Sequence, residues 1–257
     1  MTVAQGLSAT GALAGRRLLY ADAVLRTLAR HAWFVEDEIR GLPDLVRPGD
    51  VCIDIGAEYG LYTMVMAACA GPHGRVHSIE PQPGAFRFLD TCVGLVGARH
   101  SIRTHRHALG ERREPGRMSV PRRYGLPVHG RGFLTVGANQ PGPNAVEFRA
   151  ARSIEVRVIT LDDFCTQQCI DRLDFLKADV EGAELQVLRG GETMLAAHRP
   201  VLQLEIQQPH IAKYGVDAAD VVDMLRDLRY TMHAWRDGGW CTVDRITEQR
   251  RNYLFTP

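Results

Sequence analysis

From residue 51 onward, short apolar runs alternate with stretches of helical periodicity, and this alternation limits the fold more than any other feature of the chain. Val51–Ile55 is an apolar run with a single Asp, which is typical of a buried strand. A glycine-bearing turn and a helical stretch over 61–70 follow, and the same order recurs at 75–80 and 83–96. Strands that alternate with helices predict a doubly wound α/β fold, with a mostly parallel sheet covered on both faces. In such sheets, ligands bind at the carboxyl ends of the strands.

The remaining pattern predicts how the chain is divided. We expect further strands over 102–109, 154–160, 173–179, 201–206, 230–235 and 253–255, and further helices over 16–32, 161–169, 183–197 and 218–228. Residues 1–15 are predicted to be a weakly ordered N-terminal segment. Residues 111–150 are rich in Gly, Pro and Arg and read as an insertion outside the parallel sheet. The predicted division is an N-terminal helical appendage over 1–45 and a main domain over 46–257 that carries the 111–150 insertion.

The charge and the apolar pattern argue against two classes of partner. The chain has 31 basic and 30 acidic residues, a formal net charge of +1, which disfavours a nucleic-acid partner. No apolar run approaches the roughly 20 residues of a membrane span, and the first residues lack a signal-peptide pattern. The six cysteines form no CxxC pair and no zinc-like spacing. These observations predict a cytoplasmic protein.

The turn after the first strand, from Asp54 to Gly60, is the first candidate for ligand binding. Gly56 and Gly60 allow a sharp turn and a close approach of the backbone to a ligand. The spacing is GxxxG, whereas the dinucleotide fingerprint is GxGxxG, and Glu58 would repel a diphosphate at this helix N-terminus. Asp54 and Glu58 therefore favour a cationic ligand. The alternative is a structural turn that carries a solvated Glu.

Acidic residues follow several other predicted strands. Glu80 ends the second strand just before Pro81, where a carboxylate can accept hydrogen bonds from both ribose hydroxyls, unless it is a solvated loop residue. Asp179 ends a later strand and is a candidate substrate ligand, base or metal ligand. Glu181 and Glu184 could instead satisfy a helix dipole. Burying a charge within an apolar strand costs free energy, so Glu205 should have a specific role. It could orient a substrate hydroxyl or hold His210, and the alternative is a salt bridge to a Lys or Arg.

Five blocks of the sequence together resemble the FkbM family of methyltransferases, which use S-adenosylmethionine (SAM). The blocks are DIGAEYGLYT (54–63), IEP (79–81), ITLDDF (159–164), DFLKADVEGAELQVLRGG (174–191) and PVLQLEI (200–206). The resemblance implies a class I methyltransferase fold with a seven-stranded sheet. It also implies methylation of oxygen, often on a hydroxyl of a sugar, glycolipid or secondary metabolite.

The resemblance further assigns cofactor-binding positions. Gly56, Ala57, Gly60 and Thr63 would line the methionine part of SAM, beside Asp54 and Glu58. Glu80, followed by Pro81, would hold the ribose, and Ala108 and Leu109 would lie near adenine. The family usually has Asn where this chain has Glu58. The acceptor is expected to be a small molecule or glycoconjugate with a free hydroxyl, and a homodimer is possible.

The chemistry of such a transfer predicts a substrate-side cluster. An alcohol is a poor nucleophile, so a base is expected among Asp179, Glu205 and His210, with Asp179 favoured. A divalent metal held by these three side chains is possible, but we assign none. Six arginines of the insertion could clamp an acidic acceptor or form a solvated surface: Arg112, Arg113, Arg117, Arg122, Arg123 and Arg131. The alternative functions are a catalytically inactive SAM-binding scaffold and a nicotinamide-dependent oxidoreductase.

Overall fold

The computed structural model describes residues 9–32, 35–140, 142–148 and 150–257, which form two sheets with flanking helices. The strands are β1 (Val51–Ile55), β2 (Arg75–Ile79), β3 (Ile102–His105), β4 (Ala108–Leu109), β5 (Glu114–Arg123), β6 (Leu126–Pro127), β7 (Phe133–Leu134), β8 (Ala150–Ile159), β9 (Phe175–Ala178), β10 (Val201–Glu205), β11 (Thr231–Arg236), β12 (Gly239–Thr242) and β13 (Asn252–Thr256). The α-helices are α1 (Ala9–Leu28), α2 (Leu42–Leu45), α3 (Leu61–Ala70), α4 (Pro83–Leu95), α5 (Pro143–Glu147), α6 (Leu161–Gln167), α7 (Glu184–Arg189), α8 (Glu192–His198), α9 (Gln208–Ile211) and α10 (Ala218–Asp227). Short 3-10 helices span Asp37–Gly41, His129–Arg131 and Ala212–Tyr214.

The main sheet has eight strands in the order β12-β11-β13-β10-β9-β1-β2-β3. The five strands from β10 to β3 are paired in parallel, whereas β13, β11 and β12 are joined by antiparallel pairings. The α/β class is confirmed, but the predicted count of seven strands is wrong. The additional strand, β12, forms a hairpin with β11 through Asp237 and Gly238, which both have positive φ. Asp-Gly is a strong hairpin signal, and the sequence interpretation had not used it.

The segment predicted as a single strand over 102–109 belongs to two sheets. β3 pairs with β2 only as far as His105, and the last ladder bond is donated by the Glu80 amide to the His105 carbonyl. The next residue of the neighbouring segment, Pro81, has no N–H to continue the ladder. The chain then leaves the main sheet, and β4 pairs with β8 in a second, five-stranded sheet.

The second sheet is organised by a long antiparallel ladder between β5 and β8, which runs from the Glu114–Val158 pair to the Arg122–Ala150 pair. β6 and β7 add to β5, and β4 adds to β8. Half of the 111–150 segment, which the sequence placed outside the parallel sheet, is therefore in this second sheet or in α5. Its connections reach back over the carboxyl ends of the main-sheet strands, where the candidate site lies.

Two further boundaries differ from those predicted. The helix predicted over 183–197 is broken into α7 and α8 at Gly190 and Gly191, and the Asp162 carboxylate accepts hydrogen bonds from the first amides of α8, those of Thr193 and Met194. α1 begins at Ala9, so the loose start predicted for 1–15 is wrong for residues 9–15, and its residues 1–8 lie outside the described chain.

Apolar side chains from the two faces of the main sheet form two separate core clusters. Strand β1 contributes to both, because alternate side chains point to opposite faces: Ile53 and Ile55 pack on one side and Cys52 on the other. Helices α6, α7, α8 and α10 cover the first face, and α1, α3 and α4 cover the second. Within the described residues, no helix is both long and apolar enough to span a membrane.

Candidate active site

The carboxyl ends of β1, β2, β9 and β10 meet at one edge of the main sheet, and a cleft of about 620 Å³ opens there. The segments that follow the first three of these strands contribute Gly56, Glu58, Glu80 and Asp179 to its wall. Ala108 and Leu109 line the cleft as well, together with the second-sheet residues Met118 and Leu134.

The glycine turn is fixed tightly between two neighbouring strands. The amides of Gly56 and Ala57 both donate to the Ile79 carbonyl, at 2.9 and 3.1 Å. Gly56 has φ +78°, and a Cβ atom at this position would overlap the carbonyl oxygen of Asp179. Only glycine meets both constraints without strain. Glu58 also lies in the left-handed region, with φ 47°, and Gly60 immediately precedes α3.

Asp54 and Thr63 lie beneath this turn. The Thr63 hydroxyl donates to Asp54 Oδ2 at 2.6 Å and lies 2.8 Å from the Ser78 hydroxyl. Asp54 is only 1% exposed, and its other oxygen, Oδ1, has no hydrogen-bond partner among the residues that the structure describes. Burial raises the pKa of Asp54, although the Lys177 charge and the Thr63 hydrogen bond oppose that shift. The unpartnered oxygen is an acceptor available to a ligand's donor.

Glu80 is buried at the adjoining end of the cleft, beside Pro81. Its two carboxylate oxygens accept backbone hydrogen bonds from Gln82 at 2.8 Å and from Glu58 at 3.0 Å. These bonds hold the carboxylate in one orientation. Burial raises the pKa of Glu80 to about 7 in spite of them. Each carboxylate oxygen has further lone-pair capacity and can accept a second hydrogen bond from a ligand.

Asp179 and Glu205 share a hydrogen bond across β9 and β10, as expected for side chains that end adjacent parallel strands. Burial raises the pKa of Glu205 well above its usual value, and the Asp179 charge adds to the effect. For Asp179, the Lys177 ammonium, 3.2 Å away, and the hydrogen bond from Glu205 outweigh burial, and its pKa is lowered. The surroundings of Asp179 therefore favour its ionised form, whereas those of Glu205 disfavour its ionised form.

His210 is not held by Glu205. Its Nδ1 pairs with the Glu181 carboxylate, while Glu205 accepts a hydrogen bond from Gln207 Nε2 at 2.8 Å. The expectation that Glu205 could hold His210 is therefore wrong, because α9 turns the histidine toward the loop after β9. Glu184 accepts hydrogen bonds from the Val180 and Gly182 amides, so it caps this loop.

A loop of the second sheet, residues 128–132, closes one side of the cleft. The Gly130 amide donates to the Glu58 carboxylate, and the amide side chain of Gln82 donates to the His129 carbonyl at 2.7 Å. Asn144 Nδ2 joins the Arg131 carbonyl, at 2.9 Å, to the Glu181 carboxylate, at 3.2 Å. Sequence reasoning missed Gln82, His129 and Asn144, which carry no local motif. It also passed over Lys177, although Lys177 lies inside the most distinctive block.

The six arginines of the insertion differ in their exposure. Five of them are exposed, namely Arg112, Arg113, Arg117, Arg122 and Arg123. Arg131 is partly buried, and its charge contributes to the lowered pKa of Asp179. In the described part of the chain, no group of three or more His, Cys, Asp or Glu side chains is arranged to hold a metal ion.

The sheet order and the cleft at its carboxyl edge define an α/β protein of the methyltransferase-like type. A family model described as "Methyltransferase FkbM domain" matches residues 54–232. The chain belongs to the FkbM methyltransferase family, whose members depend on SAM.

Two relatives of known name agree with this assignment. The chain is 30% identical to the 31-O-demethyl-FK506 methyltransferase FkbM of Streptomyces tacrolimicus, over 75% of this chain and 76% of the relative. It is 27% identical to the 2-O-methyltransferase NoeI of Sinorhizobium fredii, over 60% of this chain and 63% of the relative. A crystal structure of the methyltransferase FkbM from Methylobacillus flagellatus aligns with a TM-score of 0.48 and 17% identity, covering 94% of this chain and 58% of that one.

The residues of the cleft fit this cofactor. SAM carries ribose hydroxyls, an ammonium group and a positively charged sulfonium. The wall of the cleft supplies the carboxylates of Glu58 and Glu80, and Asp54 Oδ1, close behind the turn, is a buried acceptor without a partner in the described part of the chain. A diphosphate would meet the same negative charges unfavourably. The donors and charges of SAM therefore match the acceptors that are present.

Proposed function

We propose that this chain is an O-methyltransferase that acts on a hydroxyl of a small-molecule or glycoconjugate acceptor. The observation that carries the proposal is the position of the Asp179 carboxylate in the wall of the cleft, with 29% of its side chain exposed and the Lys177 ammonium 3.2 Å away. The names of two relatives, a 31-O-demethyl-FK506 methyltransferase and a 2-O-methyltransferase, support oxygen as the acceptor atom.

In this proposal, Asp179 is the base that accepts the hydroxyl proton of the acceptor. When bound, SAM would supply an electrophilic methyl group: the acceptor oxygen would bond to the methyl carbon as its bond to sulfur breaks, and S-adenosylhomocysteine would be the leaving group. Lys177 and Glu205 lower the pKa of Asp179, and Lys177 holds its carboxylate in place. The pair of His210 and Glu181 flanks this centre, within reach of an acceptor that enters between the main sheet and the 128–132 loop.

The proposal also assigns the cofactor-binding residues. The turn supplies the methionine end, with Asp54, Gly56, Ala57, Glu58, Gly60 and Thr63. Glu80 accepts hydrogen bonds from the ribose hydroxyls, next to Pro81, and Ala108 and Leu109 face the adenine. The positions of Glu80, Pro81, Ala108 and Leu109 along one cleft support this assignment.

We further propose domain boundaries and a role for each part of the chain. Residues 46–257 would form the methyltransferase domain, with 111–150 as its acceptor-side element and 1–45 as a helical appendage. The cleft-lining residues Met118, His129 and Leu134 support the role of the 111–150 segment. The packing of α1 on α3 supports an attached, rather than separate, appendage.

The affinity for S-adenosylhomocysteine (SAH) should depend on pH through Glu80. Ribose hydroxyls donate to the ionised carboxylate, and the pKa of Glu80 is about 7. Affinity should therefore fall as the pH drops below about 7, by at most about tenfold per unit, because protons compete with the ligand. Calorimetric titration of SAH from pH 5.5 to 8.5 measures this dependence. In Glu80→Gln the affinity should be lower and the slope flatter, and an equally steep slope would exclude Glu80 as its source.

The proposed reaction is tested with purified protein, SAM and a panel of sugars, glycolipids and macrocyclic alcohols. Each acceptor is paired with its deoxy analogue, which lacks the hydroxyl. We expect a single methyl addition by mass spectrometry on at least one hydroxyl acceptor and none on its deoxy partner. Methylation of both partners to the same extent would contradict transfer to that hydroxyl. SAH binding without transfer to any acceptor of the panel would favour the inactive scaffold.

A further inference from the structure

A second cavity, of about 540 Å³, lies on the other side of the glycine turn from the cleft. Gly56, Glu58 and Asp179 line both spaces. The cavity is completed by residues such as Asp54, Tyr62 and Lys177, and by Glu36 from the segment before the 3-10 helix Asp37–Gly41. Glu36 lies outside residues 54–232, the part of the chain that the family model matches.

The charges around this cavity are unbalanced. Four carboxylates line it, those of Glu36, Asp54, Glu58 and Asp179, against one ammonium, that of Lys177. The Lys177 ammonium is already engaged, because it pairs with Asp179 at 3.2 Å and lies 4.6 Å from the centre of the Tyr62 ring. The cavity therefore suits a ligand group that brings a positive charge and N–H donors.

Hydrogen bonds from the main domain fix the orientation of the Glu36 carboxylate, as is needed for a carboxylate that binds a ligand. Its Oε2 accepts a hydrogen bond of 2.8 Å from the Tyr62 hydroxyl, which in turn accepts one of 3.0 Å from Gln203 Nε2. Tyr62 and Gln203 are buried, on α3 and β10. This chain of hydrogen bonds fixes the carboxylate against the main domain and, among the residues that the structure describes, engages one of its two oxygens.

We propose that Glu36 binds the α-ammonium group of the methionine moiety of SAM, so that the N-terminal segment completes the cofactor site. The inference rests on the proposed placement of the nucleoside half in the cleft. Because the two spaces share the glycine turn, the amino-acid half of the same molecule would occupy the second one. Glu36 and Asp54 then supply acceptors for the ammonium, and Lys177 balances the carboxylates that remain.

Two ligands that differ only at the amino-acid end test this role. SAH carries the α-ammonium group, whereas 5′-methylthioadenosine keeps the nucleoside and the sulfur but lacks the amino acid. By calorimetry, Glu36→Gln should weaken SAH binding roughly 10- to 100-fold, the range for a lost hydrogen bond between charged groups. Binding of 5′-methylthioadenosine should change less than about twofold. Glu155→Gln, at a side chain that is 87% exposed, is the matched control and should change neither affinity.

A second variant separates orientation from charge. Tyr62→Phe keeps the ring near Lys177 and removes the hydroxyl that orients Glu36, so SAH binding should weaken by a smaller factor, with 5′-methylthioadenosine again unaffected. An unchanged SAH affinity in Glu36→Gln would overturn the inference, as would an equal loss for both ligands. If the wild-type protein bound neither ligand, the cofactor site itself would be misplaced, which is a different failure.

Discussion

Asp179→Asn is expected to lower turnover by at least about tenfold, and by as much as roughly 10⁴-fold, while SAH affinity stays within about twofold of wild type. The amide cannot accept the hydroxyl proton as a carboxylate does, but it preserves the shape of the side chain beside Gly56. Steady-state methyl transfer measures the first effect, and calorimetry measures the second. Both measurements use the acceptor found in the panel described above.

The control for this variant is Asp171→Asn, because Asp171 is exposed and distant from the cleft in the fold. It should leave both turnover and SAH affinity unchanged. A turnover near wild type in Asp179→Asn would remove Asp179 as the base. A parallel loss of SAH affinity would show instead that the carboxylate acts mainly in cofactor binding.

Gly56→Ala is expected to abolish measurable SAH binding and to lower the free energy of unfolding by roughly 2 to 5 kcal/mol. The estimate adds the cost of overpacking, about 1 to 3 kcal/mol, to that of a left-handed backbone, about 1 to 2 kcal/mol. The added methyl group would overlap the Asp179 carbonyl, so β1 and β9 would have to separate where the two cavities meet. Denaturant unfolding and SAH calorimetry measure the two effects.

Gly49→Ala distinguishes backbone strain from steric overlap. Gly49 has φ +93°, but a Cβ atom there would have no heavy-atom neighbour within 4 Å. In this variant the left-handed backbone alone should lower the free energy of unfolding, by about 1 to 2 kcal/mol, and SAH binding should be normal. If the two variants were equally destabilised and both still bound SAH, the close packing of Gly56 against the Asp179 carbonyl would contribute neither to stability nor to SAH binding.

The parallel part of the fold could be predicted because each strand carries its own signal. The first strand was predicted at Val51–Ile55 and is observed there, since an apolar run ends at a glycine turn. The second sheet could not be predicted, because its main ladder joins residues far apart in the chain, such as Glu114 and Val158. Pairing over such a separation depends on tertiary packing, which local periodicity does not encode.

In the candidate site, too, contacts between the ends of neighbouring strands could be predicted, whereas contacts between residues far apart in sequence could not. Asp179 and Glu205 were expected at one edge because parallel neighbours end together, and their side chains do meet there. The partner of His210 was predicted wrongly because it depends on the direction of a short helix after β10. Gln82 and His129 contact each other across 47 positions, and neither segment carries a motif that indicates the other.

The way the second sheet is attached has a consequence for how acceptor preference can diverge among related enzymes. The backbone hydrogen bonds between β5 and β8 are made within the second sheet itself. The 128–132 loop beside the cleft contacts the segments after the parallel strands through polar groups at Glu58, Gln82 and Glu181. Insertions or exchanges within this module can reshape the entrance without disturbing the carboxylates at the ends of the parallel strands. Transplanting such a segment between homologues is accordingly a rational route to new regioselectivity.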